Sequence, residues 1–151
     1  MTLLPLRPNV CMLILNKERK LFLGERLGEP GVWQFPQGGV DTGQSLEENV
    51  LRELEEELGA PRARFRILRK LSATHQYDWG TTPAYAIGRW RGQSQTFWLV
   101  EFLGTDSEIN LSKNDPELSD YKWCTIDEVR KLAEPKRLIG YEAALKELRD
   151  I

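Results

Sequence analysis

The sequence predicts an α+β domain with a mixed β-sheet. Short apolar or alternating segments, typical of strands, occur before, between and after segments with helical periodicity. Several of them are joined by turns short enough for hairpins, which favours a layer of helices against a sheet with antiparallel pairs. The chain has 151 residues, enough to bury most of its apolar surface, and we expect residues 1–151 to form one domain.

The first part of the chain reads as two strands and a short extended segment. The apolar run 9–16 (NVCMLILN) predicts a buried strand, residues 17–20 a turn, and residues 21–26 a returning strand. Glycine and proline make 28–31 a loop, and a brief extended segment follows at 33–35.

The middle of the chain is predicted from alternation and composition. Residues 62–70 alternate between arginine and apolar residues, which indicates a half-exposed strand rather than a nucleic-acid stripe, because no exposed aromatics are interleaved. Residues 74–92 are rich in aromatics and irregular, so we expect a long loop or irregular hairpin. Residues 96–102 (TFWLVEF) predict a strand.

The last part of the chain predicts a strand and two helices. Residues 118–123 lead into a final strand, and the capping-box pattern at 125–128 indicates a helix start. Amphipathic helices are expected at about 126–133 and 137–149, separated by Pro135.

Composition excludes several classes of protein. The net charge of −2 gives no long-range attraction to nucleic acid, so any RNA contact has to be local, at an end or a single nucleotide. The apolar run 10–15 is too short to cross a bilayer, and residues 1–9 lack the pattern of a secretory signal. Cys11 and Cys124 have no metal-ligand spacing and are expected to be reduced core residues. We therefore expect a cytoplasmic protein without membrane contact.

The most informative stretch is 38–60 (GGVDTGQSLEENVLRELEEELGA). Ser45 and Glu48 predict a capping box at a helix start, and Gly59 can adopt the left-handed conformation that ends the helix. Apolar residues at 51, 54 and 58 share one side of this helix and can pack on a core.

Glu53, Glu56 and Glu57 share another side of the same helix, because residues three and four apart are neighbours. Like charges at this spacing cost a few tenths of a kcal/mol per pair even when solvated. A solvated acidic face is one interpretation. A divalent cation would remove the repulsion, and hard oxygen ligands are those that magnesium prefers. The preceding glycine pair and the embedded Arg52 favour the metal site.

Residues 38–60 resemble the signature of Nudix hydrolases, in which a glycine, five residues, a glutamate and seven residues precede Arg-Glu-apolar-x-Glu-Glu-x-Gly-apolar. The matching positions are Gly38, Arg52, Glu53, Leu54, Glu56, Glu57, Gly59 and Ala60. One position departs, because Gln44 stands where the family has glutamate. The resemblance implies an α/β/α sandwich with a mixed sheet, in which 38–60 is the catalytic loop and helix.

The resemblance also implies a set of metal ligands. Glu53, Glu56 and Glu57 match the metal-binding carboxylates, and the backbone carbonyl of Gly38 matches a further ligand. A downstream acid often completes the site in this family, and Glu117 is the better candidate, with Asp120 second. The implied cofactor is Mg²⁺, with Mn²⁺ as the alternative, and more than one ion per site when substrate is bound.

Catalytic roles follow from the same resemblance. Glu53 or Glu56 is expected to deprotonate or orient the attacking water, and which of the two does so stays open. Arg52 is expected to hold the carboxylates in position without touching the metal. Gln44 can keep a hydrogen bond to Arg52 but cannot supply the ion pair that glutamate would.

Flanking segments narrow the substrate class. Segments 7–10, 33–39, 92–95 and 107–110 resemble the branch that holds bacterial RNA pyrophosphohydrolases and related dinucleoside polyphosphate hydrolases. The resemblance implies a hydrolase that removes pyrophosphate from the 5′-triphosphate end of RNA to leave a monophosphate, an initiating step of mRNA decay. Hydrolysis of diadenosine tetraphosphate or free nucleotides is the alternative, and an inactive nucleotide sensor is a third.

Candidate substrate contacts come from the same branch. Arg7 and Arg26 match phosphate-contacting arginines, and Lys136 is a weaker third; for Arg26 a turn residue paired with Glu25 or Glu29 is equally open. An arginine fork suits phosphate better than a point charge. Gln37 and Gln95 are candidates for reading polar edges of the substrate.

Two further questions stay open. The branch has an aromatic where this chain has Pro135, so base stacking could fall to Tyr77, Trp79 or another residue of 74–92, although core packing is the common role of such aromatics. The same segment offers a surface for a homodimer, but nothing in the sequence fixes the oligomeric state.

Overall fold

The computed structural model describes residues 3–41 and 43–148. In chain order the elements are β1 (Leu6–Leu15), β2 (Leu21–Arg26), β3 (Trp33–Gln34), β4 (Gln37–Gly39), α1 (Leu46–Leu58), β5 (Phe65–Asp78), β6 (Gly92–Phe102), β7 (Leu118–Cys124), α2 (Ile126–Leu132) and α3 (Pro135–Glu147). This element set confirms the predicted α+β class.

The strands of the described residues form one seven-stranded mixed sheet in the order β3-β2-β1-β6-β5. β4 pairs with β1, and β7 pairs with β2. β1 and β6 run parallel over ten residue pairs, from Leu6–Gly92 to Leu15–Glu101, while the other pairs are antiparallel. β1 therefore lies at the centre of the sheet, and because it runs parallel to β6, the two strands begin at the same end of the sheet.

The sheet buries a separate apolar core on each face. One core packs alternate residues of β1 (Cys11, Leu13, Leu15) against α2 and α3, and the other packs Val10, Met12 and Ile14 against α1. Because both faces of β1 are covered, this strand is apolar throughout rather than alternating. The two covered faces confirm the α/β/α layering that the resemblance implied.

Helix α1 forms where its local signals predict. The Ser45 hydroxyl accepts a hydrogen bond from the Glu48 N–H at 3.1 Å, but the described hydrogen bonds include no return bond from the Glu48 side chain, so only half of the predicted capping box is present. Gly59 ends the helix with φ +73° and donates to the Glu55 carbonyl. The helix thus spans Leu46–Leu58.

The prediction for 62–92 is wrong in two places. Residues Arg62–Arg64 form a 3₁₀ turn, and β5 begins only at Phe65. β5 then continues to Asp78, pairing 74–78 with 96–92, so the irregular segment is shorter than expected. Register shifts at Ile67/Arg69 and Lys70/Thr74 interrupt the pairing with β6, but residues 71–78 alternate in burial as a strand does.

The C-terminal helices differ from the prediction in one detail. Both bonds of the capping box at Thr125 and Glu128 are present, as expected. Pro135, however, is the first residue of α3 rather than a separator before it, because proline lacks only an N–H that the first turn leaves unpaired anyway. The predicted end of this helix at residue 149 lies outside the described residues.

Two other expectations can be compared with the structure. Cys11 and Cys124 are free thiols buried in the core, as predicted. Within the part of the chain that the structure describes, every helix is too short or too polar to span a lipid bilayer.

Candidate active site

Strand β4 and helix α1 meet where Gly38 leaves room for a carboxylate. Gly38 on β4 pairs with Val10 of β1, and a Cβ added at Gly38 would overlap the carboxylate of Glu53. The absent side chain therefore lets the Glu53 carboxylate lie directly against the β4 backbone. The structure thus brings together two of the predicted site residues.

Four predicted metal-binding acids line one continuous cleft. Glu53, Glu56, Glu57 and Glu117 all line it, and Asp115 joins them. Glu53 and Glu57 are buried, with exposed fractions of 8% and 6%, whereas the Glu56 side chain is half exposed. The helix therefore presents its acids as a buried pair and an exposed third, not as a solvated face.

Burial changes the acid–base properties of the buried pair. Burial raises the pKa of Glu57 well above its ordinary value, and the neighbouring carboxylates of Glu117 and Glu53 raise it further. Burial raises the pKa of Glu53 to about 7, against the opposing effect of the Arg52 guanidinium. Two carboxyl groups in this cleft thus hold protons at higher pH than ordinary glutamates do.

Arg52 contacts the carboxylates from the side of the cleft. Its Nη1 lies 3.0 Å from Glu53 Oε1 and 3.4 Å from Glu56 Oε2, and its Nη2 donates to Asn49 Oδ1 at 2.9 Å. Its Nε donates to Gln44 Oε1 at 3.1 Å, which is the hydrogen bond expected of an amide at this position. These contacts fix the guanidinium next to Glu53, as a positioning role requires.

Gln44→Glu is expected to leave kcat/KM within about threefold of the wild-type value or to raise it. Gln44 is exposed, and an exposed ion pair adds little to the hydrogen bond that the amide already accepts. Steady-state kinetics of the purified variant checks this. A loss of several orders of magnitude would show that the neutral amide has a specific role.

A divalent cation fits the donor set of the cleft. Both carboxylate oxygens of Glu57 are buried and have no hydrogen-bond partner, which is costly unless a cation or proton compensates. All the candidate donors are oxygens, as Mg²⁺ prefers. In the described residues, no group of three or more His, Cys, Asp or Glu side chains is already arranged to hold an ion. The Glu53 carboxylate forms an ion pair with Arg52 rather than turning toward the other acids.

The predicted phosphate-contacting arginines line the neighbouring half of the same cleft. Arg7 and Arg26 lie there with Glu53 and Glu117. The Arg7 guanidinium lies 4.9 Å from the centroid of the Tyr85 ring. Arg26 forms an ion pair with Glu29 and donates to Gln34 Oε1 at 3.2 Å. Arg26 is thus paired with Glu29 at the turn, as one interpretation expected, and it also lines the cleft, where contact with phosphate stays a prediction.

A second cavity adjoins this cleft at Gln37, which lines both. Tyr77, Trp79, Gln95 and Lys136 also line the second cavity, so the structure places the weaker cation beside the aromatic candidates.

The amides in this region are partly paired with each other. Gln95 Nε2 donates to Gln37 Oε1 at 2.7 Å and to Asn9 Oδ1 at 3.0 Å. The Tyr77 hydroxyl donates to Gln93 Oε1 at 2.9 Å, and its ring stacks on His75. A ligand that reads Gln37 or Gln95 therefore has to exchange these bonds.

Sequence reasoning did not single out some residues of the cleft, and one of its two downstream acids does not line it. Tyr85, under Arg7, and Lys113, beside the acids, line the cleft without any local motif to mark them. Asp120 does not line it; its carboxylate accepts the N–H of Tyr121 on β7. Among the two downstream acids, Glu117 is the one that the structure places in the cleft.

Comparisons with known proteins agree with this geometry. A model of the NUDIX domain matches residues 5–148. The RNA pyrophosphohydrolase of Rickettsia bellii is 33% identical over 154 residues, covering 98% of this chain and 92% of the relative. The RNA pyrophosphohydrolase of Wolbachia pipientis subsp. Culex pipiens is 34% identical over 146 residues, covering 96% of this chain and 90% of the relative.

Solved structures show the same fold at lower identity. The C. elegans Ap4A hydrolase in a binary complex superposes with a TM-score of 0.66 at 20% identity, covering 93% of this chain and 94% of that one. The E. coli dihydroneopterin triphosphate pyrophosphohydrolase superposes with a TM-score of 0.67 at 15% identity, covering 91% of this chain and 96% of that one.

Proposed function

This chain belongs to the family of proteins with a NUDIX domain, and from that premise we propose that it hydrolyses the 5′-triphosphate end of RNA, releasing pyrophosphate and leaving a 5′-monophosphate. The relatives of Rickettsia and Wolbachia, named RNA pyrophosphohydrolases and matched over nearly their whole length, support this substrate. Proteins of this family act on phosphorus anhydrides, and the site described above contains the groups that such chemistry needs.

One observation carries the proposal. Arg7 and Arg26 line one half of the cleft, Glu56 and Glu57 line the other, and Glu53 and Glu117 line both. Guanidinium groups bind phosphate oxygens directly, whereas carboxylates bind them only through a cation between the two. A polyphosphate with a divalent cation is the ligand that satisfies both halves at once.

The metal ligands are assigned by this proposal to Glu53, Glu56, Glu57, Glu117 and the Gly38 carbonyl. Mg²⁺ is the proposed ion, with Mn²⁺ as a substitute and more than one ion in the presence of substrate. When bound, such an ion neutralises charge on phosphate oxygens and lowers the pKa of a bound water.

Glu53 is the proposed base, with Glu56 as the alternative. The Glu53 carboxylate lies against the β4 backbone and lines both halves of the cleft, so it can accept a proton from a water placed beside the phosphates. Arg52 lies 3.0 Å from Glu53 and holds its carboxylate in one orientation. Arg52 thus acts on the reaction through Glu53 rather than by contact with the substrate.

The second cavity is the proposed place for the first nucleosides. It joins the cleft at Gln37 and offers aromatic faces at Tyr77 and Trp79 beside Lys136. Single-stranded RNA ends are held by such aromatic or cationic planes, which tolerate any base. An RNA strand whose 5′ phosphates lie in the cleft can therefore place its first bases in the second cavity.

The test compares two substrates under one condition. RNA with a labelled 5′-triphosphate and diadenosine tetraphosphate are supplied at equal concentration in Mg²⁺, with Glu56→Gln as the inactive control. We expect pyrophosphate release from RNA with the higher kcat/KM. Preference for the dinucleotide would move the function to small-molecule hydrolysis, and turnover of neither would indicate a sensor.

A further inference from the structure

Lys113 lines the acidic half of the cleft on a segment whose backbone is anchored on both sides. Asn110 donates its N–H to the Leu58 carbonyl at 2.7 Å, and the Asn114 side chain donates to the Glu56 carbonyl at 3.3 Å. Both acceptors belong to the last turns of α1, the helix that carries the acids. The position of Lys113 relative to these acids is therefore set by the helix itself.

Close packing strengthens the first anchor. Gly59 has φ +73°, and a Cβ added there would overlap the Asn110 carbonyl oxygen. The end of α1 and the segment at Asn110 thus touch through their backbones. The Lys113 N–H also returns to the Asn110 carbonyl at 3.3 Å, which forms a turn between the two anchors.

The charge of Lys113 has no structural use in the fold. It lines the cleft with Glu53, Glu56, Glu57, Asp115 and Glu117 and is exposed. None of the ion pairs formed by the described residues engages it, although acids surround it. An exposed lysine in a loop is usually only solvated, but the backbone that carries this one is tied to α1 beside the acids.

The cations of the cleft lie at its two ends. Arg7 and Arg26 line the half that adjoins the second cavity, and Lys113 lines the opposite half. Glu53 and Glu117 line both halves and so mark the middle. A phosphate chain that crosses this middle has arginines near the nucleoside and Lys113 near its far end.

We propose that Lys113 binds the terminal phosphate of the RNA 5′-triphosphate and so makes the enzyme prefer a triphosphate to a diphosphate end. This inference rests on the proposed function. A lysine ammonium is a compact charge with three donors on a flexible stem, suited to a terminal phosphate whose oxygens can rotate. Arginine at this position should keep part of the effect, because it keeps the charge.

The test compares Lys113→Met on two RNA substrates that differ only in the terminal phosphate. We expect kcat/KM to fall by about tenfold on 5′-triphosphate RNA, the loss of one charge-assisted hydrogen bond, and by less than about twofold on 5′-diphosphate RNA. Lys113→Arg should restore most of the triphosphate rate. Equal loss on both substrates, or no loss on either, would contradict the proposal.

Lys17→Met is the matched control. Lys17 is also an exposed lysine in a loop. It follows the end of β1, about 20 Å along the strand direction from Val10, which pairs with Gly38 beside the cleft. It should leave the ratio of the two rates unchanged. If Lys17→Met changes the ratio of the triphosphate rate to the diphosphate rate as much as Lys113→Met does, the effect is general electrostatics and the proposal is overturned.

Binding of inorganic pyrophosphate separates this inference from the proposed function. If the wild-type protein hydrolyses neither RNA, the proposed function fails, but titration with pyrophosphate in Mg²⁺ still tests Lys113. We expect about tenfold weaker binding by Lys113→Met than by the wild type. Equal affinities would overturn the role of Lys113 whatever the substrate of the enzyme is.

Discussion

Glu57→Gln is expected to lower kcat/KM by about a thousandfold in Mg²⁺, and at the same time to stabilise the metal-free protein. The activity falls because the proposed ligand loses its charge, and a bound divalent ion supplies several kcal/mol of charge stabilisation in the transition state. The metal-free protein gains because the wild-type carboxylate is buried without a hydrogen-bond partner. Steady-state kinetics and urea unfolding in EDTA measure the two effects.

The stability effect has a defined pH dependence. The pKa of Glu57 is raised in the folded protein, so the folded state binds this proton more tightly than the unfolded state does. The wild-type protein therefore loses stability as the pH rises above about 4.5, the ordinary value, toward the folded pKa. The amide of the variant does not titrate, so its advantage in unfolding free energy should widen from pH 5 to pH 8.

Glu55→Gln is the matched control for this prediction. Glu55 lies on the same helix but pairs with Arg62 on the exposed side, away from the cleft. Its substitution should leave kcat/KM within about twofold of the wild-type value, because an exposed ion pair contributes little to the stability of the fold. If Glu57→Gln keeps wild-type activity, Glu57 is not a metal ligand and its burial needs another explanation.

Gly38→Ala is expected to lower kcat/KM by about a hundredfold without unfolding the protein. The added methyl group would overlap the Glu53 carboxylate, which is the end of a flexible side chain and can turn away. The fold therefore tolerates the change, but the displaced carboxylate loses its place against β4. Displacements of about 1 Å in a catalytic group cost about a hundredfold. Kinetics and thermal unfolding of the variant test both parts.

Gly39→Ala gives the contrasting case. Its added methyl group would overlap the Arg7 guanidinium rather than a carboxylate. We expect a higher KM for RNA with the Mg²⁺ dependence unchanged, whereas Gly38→Ala should require more Mg²⁺. Identical kinetic behaviour of the two variants would show that the methyl groups act through a common distortion of β4.

Helix α1 was predictable because its signals are local. The serine cap, the apolar positions and Gly59 all lie within the helix or beside it, so a short window specifies its start, face and end. The resemblance of 38–60 to a known signature then assigned roles that spacing alone could not. Burial of Glu53 and Glu57 was not foreseeable, because it depends on β4 and on the segment that follows residue 110.

The strand β5 and Lys113 show where local reasoning fails. The second half of β5 alternates only weakly in polarity and is held by pairing with β6, a partner about 20 residues further along the chain that no short window contains. Lys113 reaches the cleft only because Asn110 and Asn114 attach their loop to α1. A lysine in a polar connection carries no signal of such an attachment.

The parallel pairing of β1 with β6 has a consequence for the synthesis of the chain. β1 is among the first segments to leave the ribosome, but its partner begins only at Gly92 and the last acid of the cleft is Glu117. At about 5–20 residues per second, the central strand waits for several seconds with an open apolar edge. Translation that stalls before Gly92 therefore leaves a nascent chain prone to aggregation, and one that stalls before Glu117 leaves the cleft without its last acid.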